Sequence, residues 1–246
     1  FGLVAVGFEE YGDPARKQEV AHLVDVYVKA NKRAEAEPAF DERARAFFKR
    51  MEEGDSQALA MWKEFRDTSL VDFKKIYGRL GIAFEHYEGE SFYQGKMEAV
   101  IERIRAKPGV KESQGALVVD MAYADGEPPV LLKKNDGSTL YATRDLAAAI
   151  DRQERFGFDR SLYVVATDQS LHFKQFFRVL GEMGLPWADR LTHVNFGRVS
   201  GMSTRKGNLK MLSEVIDEAH DRALEKIQAN IEAGRTEHAG ELVARR

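Results

Sequence analysis

Ser161-Leu-Tyr-Val-Val-Ala166-Thr-Asp168-Gln169-Ser-Leu-His172-Phe173 decides the fold. An apolar run of six residues, Ser161 to Ala166, reads as a strand bounded by polar residues. A helical pattern follows at once, over Ser170 to Met183. Phe173, Phe176, Phe177 and Leu180 share one face of it, and Gly184 closes it. Leu191 to Arg198 reads as another strand. Strand, helix and strand at this spacing predict an α/β fold with a parallel, doubly wound sheet.

Working outward, residues 143 to 156 read as a helix carrying Leu146, Ala147 and Ile150. Another helix is expected from about Ser213 to Ile231. Upstream, Ala116 to Met121 and Val130 to Lys133 read as paired strands, joined by a loop with Gly126 and Pro128-Pro129. Asn135-Asp-Gly137 signals a turn. A helix is expected from Gly95 to Ala106 and a short strand over Ile82 to Tyr87.

The first third of the chain is helical in pattern. Val20, Leu23, Val24 and Tyr27 make a stripe over 14–31, with Pro14 after Asp13 as its start. Residues 32–40 read as a connector. Asp41 reads as the N-cap of a helix with Ala44, Phe47, Phe48 and Met51. Asp55 caps the next, which carries Leu59, Trp62, Phe65, Leu70, Phe73, Ile76 and Tyr77. Their spacing is that of a buried helix face, so these aromatics are read as core and not as a ligand box.

Composition narrows the class. The chain has 246 residues, 43% of them hydrophobic, enough for one sizeable core or a core with an insertion. A net charge of -3 argues against a basic nucleic-acid domain, so RNA contact would need a local patch. The chain has no cysteine, which excludes disulfides and thiolate metal sites; a reducing compartment fits. No apolar run approaches the ~20 residues needed to span a bilayer. The apolar start at Phe1 and the helical pattern at Arg246 lead us to expect a fragment.

Three polar runs carry the chemistry. Tyr141-Ala-Thr-Arg-Asp145 puts a phenol and a carboxylate, expected to be buried, on one helical face, which suits a guanidinium bound through two parallel N–H bonds. The competing reading is structural: Thr143 caps the helix and Asp145 complements its dipole. Gln169 and His172 follow a strand's carboxyl end, where doubly wound sheets bind ligands, at a helix start that favours anions. Alternatively, Asp168 or Ser170 caps that helix and His172 is a surface histidine. Gly201-Met-Ser-Thr-Arg-Lys206-Gly207 combines glycines, hydroxyls and cations, as a loop closing over a polyphosphate would, or as a basic surface turn would. The common nucleotide fingerprints and zinc spacings are absent.

In this order, Leu140-Tyr-Ala-Thr-Arg-Asp145, Tyr163-Val-Val-Ala-Thr-Asp-Gln-Ser-Leu-His-Phe173 and Gly201-Met-Ser-Thr-Arg-Lys-Gly207 resemble the landmarks of arginyl-tRNA synthetases of class I. Gly89-Glu-Ser-Phe-Tyr93 and Phe1-Gly2 are similar to that family too. The resemblance covers almost the whole chain. It implies the second half of a Rossmann-like nucleotide-binding domain with a helical and small β insertion. Residues 1–12 would end the first half, 13–138 form the insertion, 139–212 the second half, and 213–246 a helix toward an anticodon-binding domain.

It further implies that Tyr141, Asp145 and Gln169 bind arginine. His172, Gly201, Met202 and Ser203 would lie on the ATP side, with Lys206 and Arg205 as the loop cations at the phosphates. Substrates would be L-arginine, ATP with Mg2+, and tRNA(Arg), with no resident metal or tightly bound cofactor. A cytoplasmic monomer with no membrane association is expected.

Two departures matter. Gly201 stands where the family's loop signature has lysine, which leaves the choice between Arg205 and Lys206 open. The family's His-x-Gly-His run is missing; the histidines are His22, His86, His172, His193, His220 and His238. The chain alone is therefore expected to be inactive. A glutamate- or cysteine-type class I enzyme fits less well, because Asp145 would repel glutamate and no thiolate zinc pocket exists. A non-catalytic paralogue or binding module is the remaining alternative.

Overall fold

A computed structural model of the chain describes residues 1–120, 128–135, 140–197, 201 and 210–235. The elements in order are helices α1 (Gly2–Tyr11), α2 (Val20–Ala36), α3 (Pro38–Glu52), α4 (Ser56–Arg79) and α5 (Met97–Arg105), then strands β1 (Val110–Ser113), β2 (Ala116–Val119) and β3 (Val130–Lys133). They continue with α6 (Tyr141–Phe156), β4 (Ser161–Ala166), α7 (Ser170–Glu182), β5 (Leu191–Phe196) and α8 (Leu212–Glu232). Two units form: Phe1–Phe84 with Ser200–Arg246, and Glu85–Val199.

The first unit is helical. Glycines set how closely its helices cross. A Cβ on Gly7 would stand 2.7 Å from Ala30 Cβ, and one on Gly2 would stand 2.1 Å from the Ala44 carbonyl oxygen. Two apolar clusters result, one around Val6, Ala30, Phe40 and Phe47, the other around Phe8, Leu23, Val26 and Phe65. Asp55 caps α4 as expected, accepting from the Ala58 N–H at 2.8 Å.

Four expectations for this region are corrected. Asp13 starts only a 3₁₀ turn, Pro14–Arg16, and α2 begins at Val20. The connector expected over 32–40 shrinks to Glu37, since α2 runs to Ala36 and α3 begins at Pro38. Proline tolerates the first helical position while forcing the preceding residue to be extended, so Glu37 is the break and Asp41 sits inside the first turn of α3. Ile82–Tyr87 is not a strand: Gly81 ends the helical stretch at φ +67. Phe84 packs on Tyr77, and His86 packs on Phe156.

The second unit is α/β. β4 and β5 pair in parallel from Ser161↔Leu191 to Ala166↔Phe196, joined through α7, as the sequence predicts. β2 and β3 pair antiparallel, again as expected, and β1 joins them through a turn at Gln114-Gly115. Both turn residues have positive φ, the geometry that two-residue hairpins favour. β1 escaped sequence reading because Val-Lys-Glu-Ser has no apolar alternation.

A single core joins these parts. Ile101 and Ile104 of α5, Val119 and Leu132 of the small sheet, Leu146 and Ile150 of α6, and Phe176, Val179 and Leu180 of α7 all pack into it. The Thr143 hydroxyl, fully buried, donates to the Leu132 carbonyl at 2.6 Å, and Gln175 Nε2 donates to the Pro128 carbonyl at 2.9 Å. The start of α6 is thereby bolted to β3. Leu162, Val164, Val194 and Phe196 lie exposed along β4 and β5.

Candidate functional site

Helix α6 begins at Tyr141, so Tyr141 and Asp145 do stand one turn apart on one face. The structural alternative for Thr143 is overturned: the N-cap residue is Leu140, which gives no side-chain cap, and the Thr143 hydroxyl is spent on Leu132. The expected buried carboxylate is also corrected. The Asp145 side chain is 40% exposed, because α6 presents this face at its open end.

Asp145 is joined to His172 of α7, with 2.7 Å between Oδ2 and Nε2. Only 15% of the His172 side chain is exposed. Tyr141 meets its ring edge-on at 5.1 Å, Phe173 at 5.3 Å, and Phe176 lies parallel to it at 6.0 Å. His172 is thus neither a surface histidine nor an isolated one. It is an aromatic-packed donor for a carboxylate.

Gln169 occupies the N-cap position of α7 and gives no side-chain cap; it lies exposed, one turn ahead of His172. Asp168 sits in the preceding 3₁₀ turn, Thr167–Gln169. Ser170 donates to the Thr167 carbonyl, and Thr167 donates across to the Phe196 carbonyl at 3.0 Å. The last bond locks the carboxyl ends of β4 and β5 together, where ligands of parallel sheets bind. Gly201 is exposed at φ +80. Met202, Ser203, Arg205 and Lys206 lie outside the described residues, as does the expected turn at Asp136-Gly137.

A polar network that sequence reading missed lies along the other end of α6. Asp151, 7% exposed, accepts from Lys96 and, at 3.0 Å, from Arg155. Arg155 also bonds Glu88, which accepts from the Tyr93 hydroxyl at 2.6 Å. At the opening turn of α6, Arg144 pairs with Glu90 at 3.1 Å. Segment 88–96 is therefore clamped along the helix that bears Tyr141 and Asp145. Burial alone would push the Asp151 carboxyl up, but the bonds from Lys96 and Arg155 outweigh it and hold it below its ordinary value. The Arg155 bond does the same for Glu88 against burial, helped by Tyr93. Burial, then the Glu88 bond, raises the Tyr93 phenol. The signal available in sequence was Asp151 and Arg155 at i, i+4, with Gly89-Glu-Ser-Phe-Tyr93 upstream.

Chemically, this is a half-open carboxylate oriented by an imidazole donor, beside an exposed phenol, near the carboxyl ends of the parallel strands. Known proteins share the arrangement's fold. The solved arginyl-tRNA synthetase of Plasmodium falciparum superposes with a TM-score of 0.72 at 23% identity, over 94% of this chain and 38% of that one. The Thermus thermophilus arginyl-tRNA synthetase gives 0.68 at 16%, over 98% and 46%. The fold is that of a class I synthetase with a Rossmann-like core.

The family model described as tRNA synthetases class I (R), catalytic domain, matches residues 1–243, and the chain belongs to that family. Among curated relatives, the arginine–tRNA ligase of Lactococcus lactis subsp. lactis (strain IL1403) is 46% identical over 235 residues. That of Streptococcus pneumoniae (strain CGSP14) is 45% identical over 235. Each match covers 93% of this chain and 42% of the relative, so the chain spans under half the length of these relatives.

Proposed function

We propose that this chain is the arginine-handling part of an arginine–tRNA ligase. The observation that supports this best is the meeting of Asp145, His172 and Tyr141 at one point, on a chain 46% identical to a protein of that activity. Asp145 takes the guanidinium, Tyr141 lines it, and Gln169 completes the pocket. A guanidinium offers paired N–H donors to a carboxylate, and lysine offers a point charge. Each carboxylate oxygen has two lone pairs, so Oδ2 can hold His172 and still accept a substrate N–H.

In the reaction proposed, the arginine carboxylate attacks the ATP α-phosphate in line and pyrophosphate leaves with Mg2+, which enters as part of the substrate. The terminal adenosine hydroxyl of tRNA(Arg) then attacks the arginyl carbonyl of the adenylate, forming the ester, losing its proton and expelling AMP. The protein's part is positioning and charge stabilisation, with Gly201, Met202 and Ser203 toward the adenosine and Arg205 and Lys206 toward the phosphates. Residues 139–212 serve as the second nucleotide-binding half and 13–138 as the insertion. Because the chain lacks a His-x-Gly-His run, it binds arginine without sustaining arginine-dependent ATP–pyrophosphate exchange. The protein works as a cytoplasmic monomer.

Calorimetric titration tests the reading. The chain should bind L-arginine and reject L-citrulline, whose side chain has similar shape but no charge. Asp145→Asn should weaken arginine about 30-fold, near 2 kcal/mol, the range for one charge-assisted hydrogen bond at a half-open site. Equal binding of citrulline, or an Asp145→Asn variant that binds arginine as before, refutes it.

A further inference from the structure

We infer that His172 is a positioning residue for the cationic end of the amino-acid substrate, acting through Asp145, and is not an ATP contact. The inference rests on the reading of Asp145 given above and assigns its neighbour a role that the sequence placed elsewhere.

The geometry carries it. At 2.7 Å, the Nε2–Oδ2 contact is at the short end for a nitrogen donor and a carboxylate, the range of charge-assisted bonds. A carboxylate only accepts, so Nε2 must carry the hydrogen, and the bond selects one imidazole tautomer. The ring cannot swing away easily, because Tyr141, Phe173 and Phe176 contact it.

Exposure sets the order of the pair. His172 is the inner partner at 15% and Asp145 the outer at 40%, so an arriving cation meets the carboxylate first. A carboxylate on a two-torsion side chain loses rotamer freedom when it binds a guanidinium. A fixed donor behind it removes that freedom before the substrate arrives, which raises affinity by preorganisation. Tyr141 serves twice, touching both the ring and the substrate side of the turn. The device belongs to the tertiary fold, since α6 and α7 supply its two halves.

The test is a split between two ligands. In calorimetric titrations of the chain, His172→Leu keeps apolar volume and loses the donor. It should weaken L-arginine about tenfold and move ATP–Mg2+ binding less than about twofold. His172→Gln returns an amide N–H near the position of Nε2 and should recover most of the arginine affinity. Loss of ATP affinity equal to that of arginine, or unchanged arginine affinity in His172→Leu, overturns the proposal.

Asp145→Asn run in parallel separates the failures. If it too leaves arginine untouched, the substrate assignment of Asp145 falls. If it weakens arginine while His172→Leu does not, only the role of His172 falls. Long-range nitrogen–proton spectra of the imidazole in the unsubstituted chain need no folded His172 variant. They should show an Nε2–H tautomer whose Nε2 signal shifts on adding L-arginine and in Asp145→Asn. An Nδ1–H tautomer, or an Nε2 signal indifferent to both, overturns the proposal.

Discussion

The helical unit and the α/β unit solve the packing problem in opposite ways. In the helical unit, small residues bring backbones together: Gly2 and Gly7 of α1 face Ala44 and Ala30, and the apolar clusters around them are separate. In the α/β unit, large side chains fill one continuous core, with Phe176, Leu180, Leu146 and Ile101 essentially inaccessible. The first arrangement tolerates little added volume. The second tolerates little loss of it. The difference also explains where the chemistry sits. The helical unit buries His22 and satisfies it with the Asp13 N–H at 2.8 Å, whereas the α/β unit leaves Asp145 half open beside His172.

Variants can break this contrast. Phe176→Ala should have the largest effect, about 4 kcal/mol of lost stability, since it empties the centre of the α/β core and removes the ring parallel to His172. Hydrogen exchange should show protection lost across 85–199 and kept in α1 to α4. Equal loss in both would mean the two cores are one cooperative unit.

Gly7→Val tests the other side. Its methyls would collide with Ala30 and Val26, at an expected cost of about 2 kcal/mol, confined to α1 and α2. A denaturation midpoint equal to that of the unsubstituted chain would show that this crossing has slack.

The smallest effect comes from acid. Asp151 and Glu88 lie below their ordinary values when folded, so the unfolded chain binds more protons in that range. Their contribution is complete above about pH 5, beyond the ordinary values of both groups, and is lost as pH falls through the folded values. Asp55 of the helical unit is also held low, by the Ala58 N–H and Arg50, but as a surface cap. Thermal melts from about pH 6 to about pH 3 should therefore show a flatter slope for Asp151→Asn than for the unsubstituted chain. Parallel slopes would remove Asp151 from the acid response.

Much of the fold was legible because periodicity is a local property. The strand at Ser161–Ala166, the helix that follows it and the parallel partner could be read from apolar spacing, as could the cap at Asp55. Failures came where local signal was weak or ambiguous. Pro38 hid a helix start inside an apparent connector. Val110–Ser113 pairs through a hairpin its composition does not announce, and Ile82–Tyr87 looks like a strand but pairs with none among the described residues. Tyr141, Asp145, Gln169 and His172 were legible as residues because they sit in ordered runs.

The amino-acid sequence alone determined the family, the parallel strand–helix–strand and the ordered runs that hold Tyr141, Asp145, Gln169 and His172. Only the tertiary structure decided that His172 bonds Asp145, that Thr143 is a bolt to Leu132 and not a cap, and that Asp151 is the hub of a clamp along α6. Periodicity along a chain reports which side of an element is buried. It does not report which of two distant polar groups will face each other, because that depends on how α6 and α7 pack over a shared core.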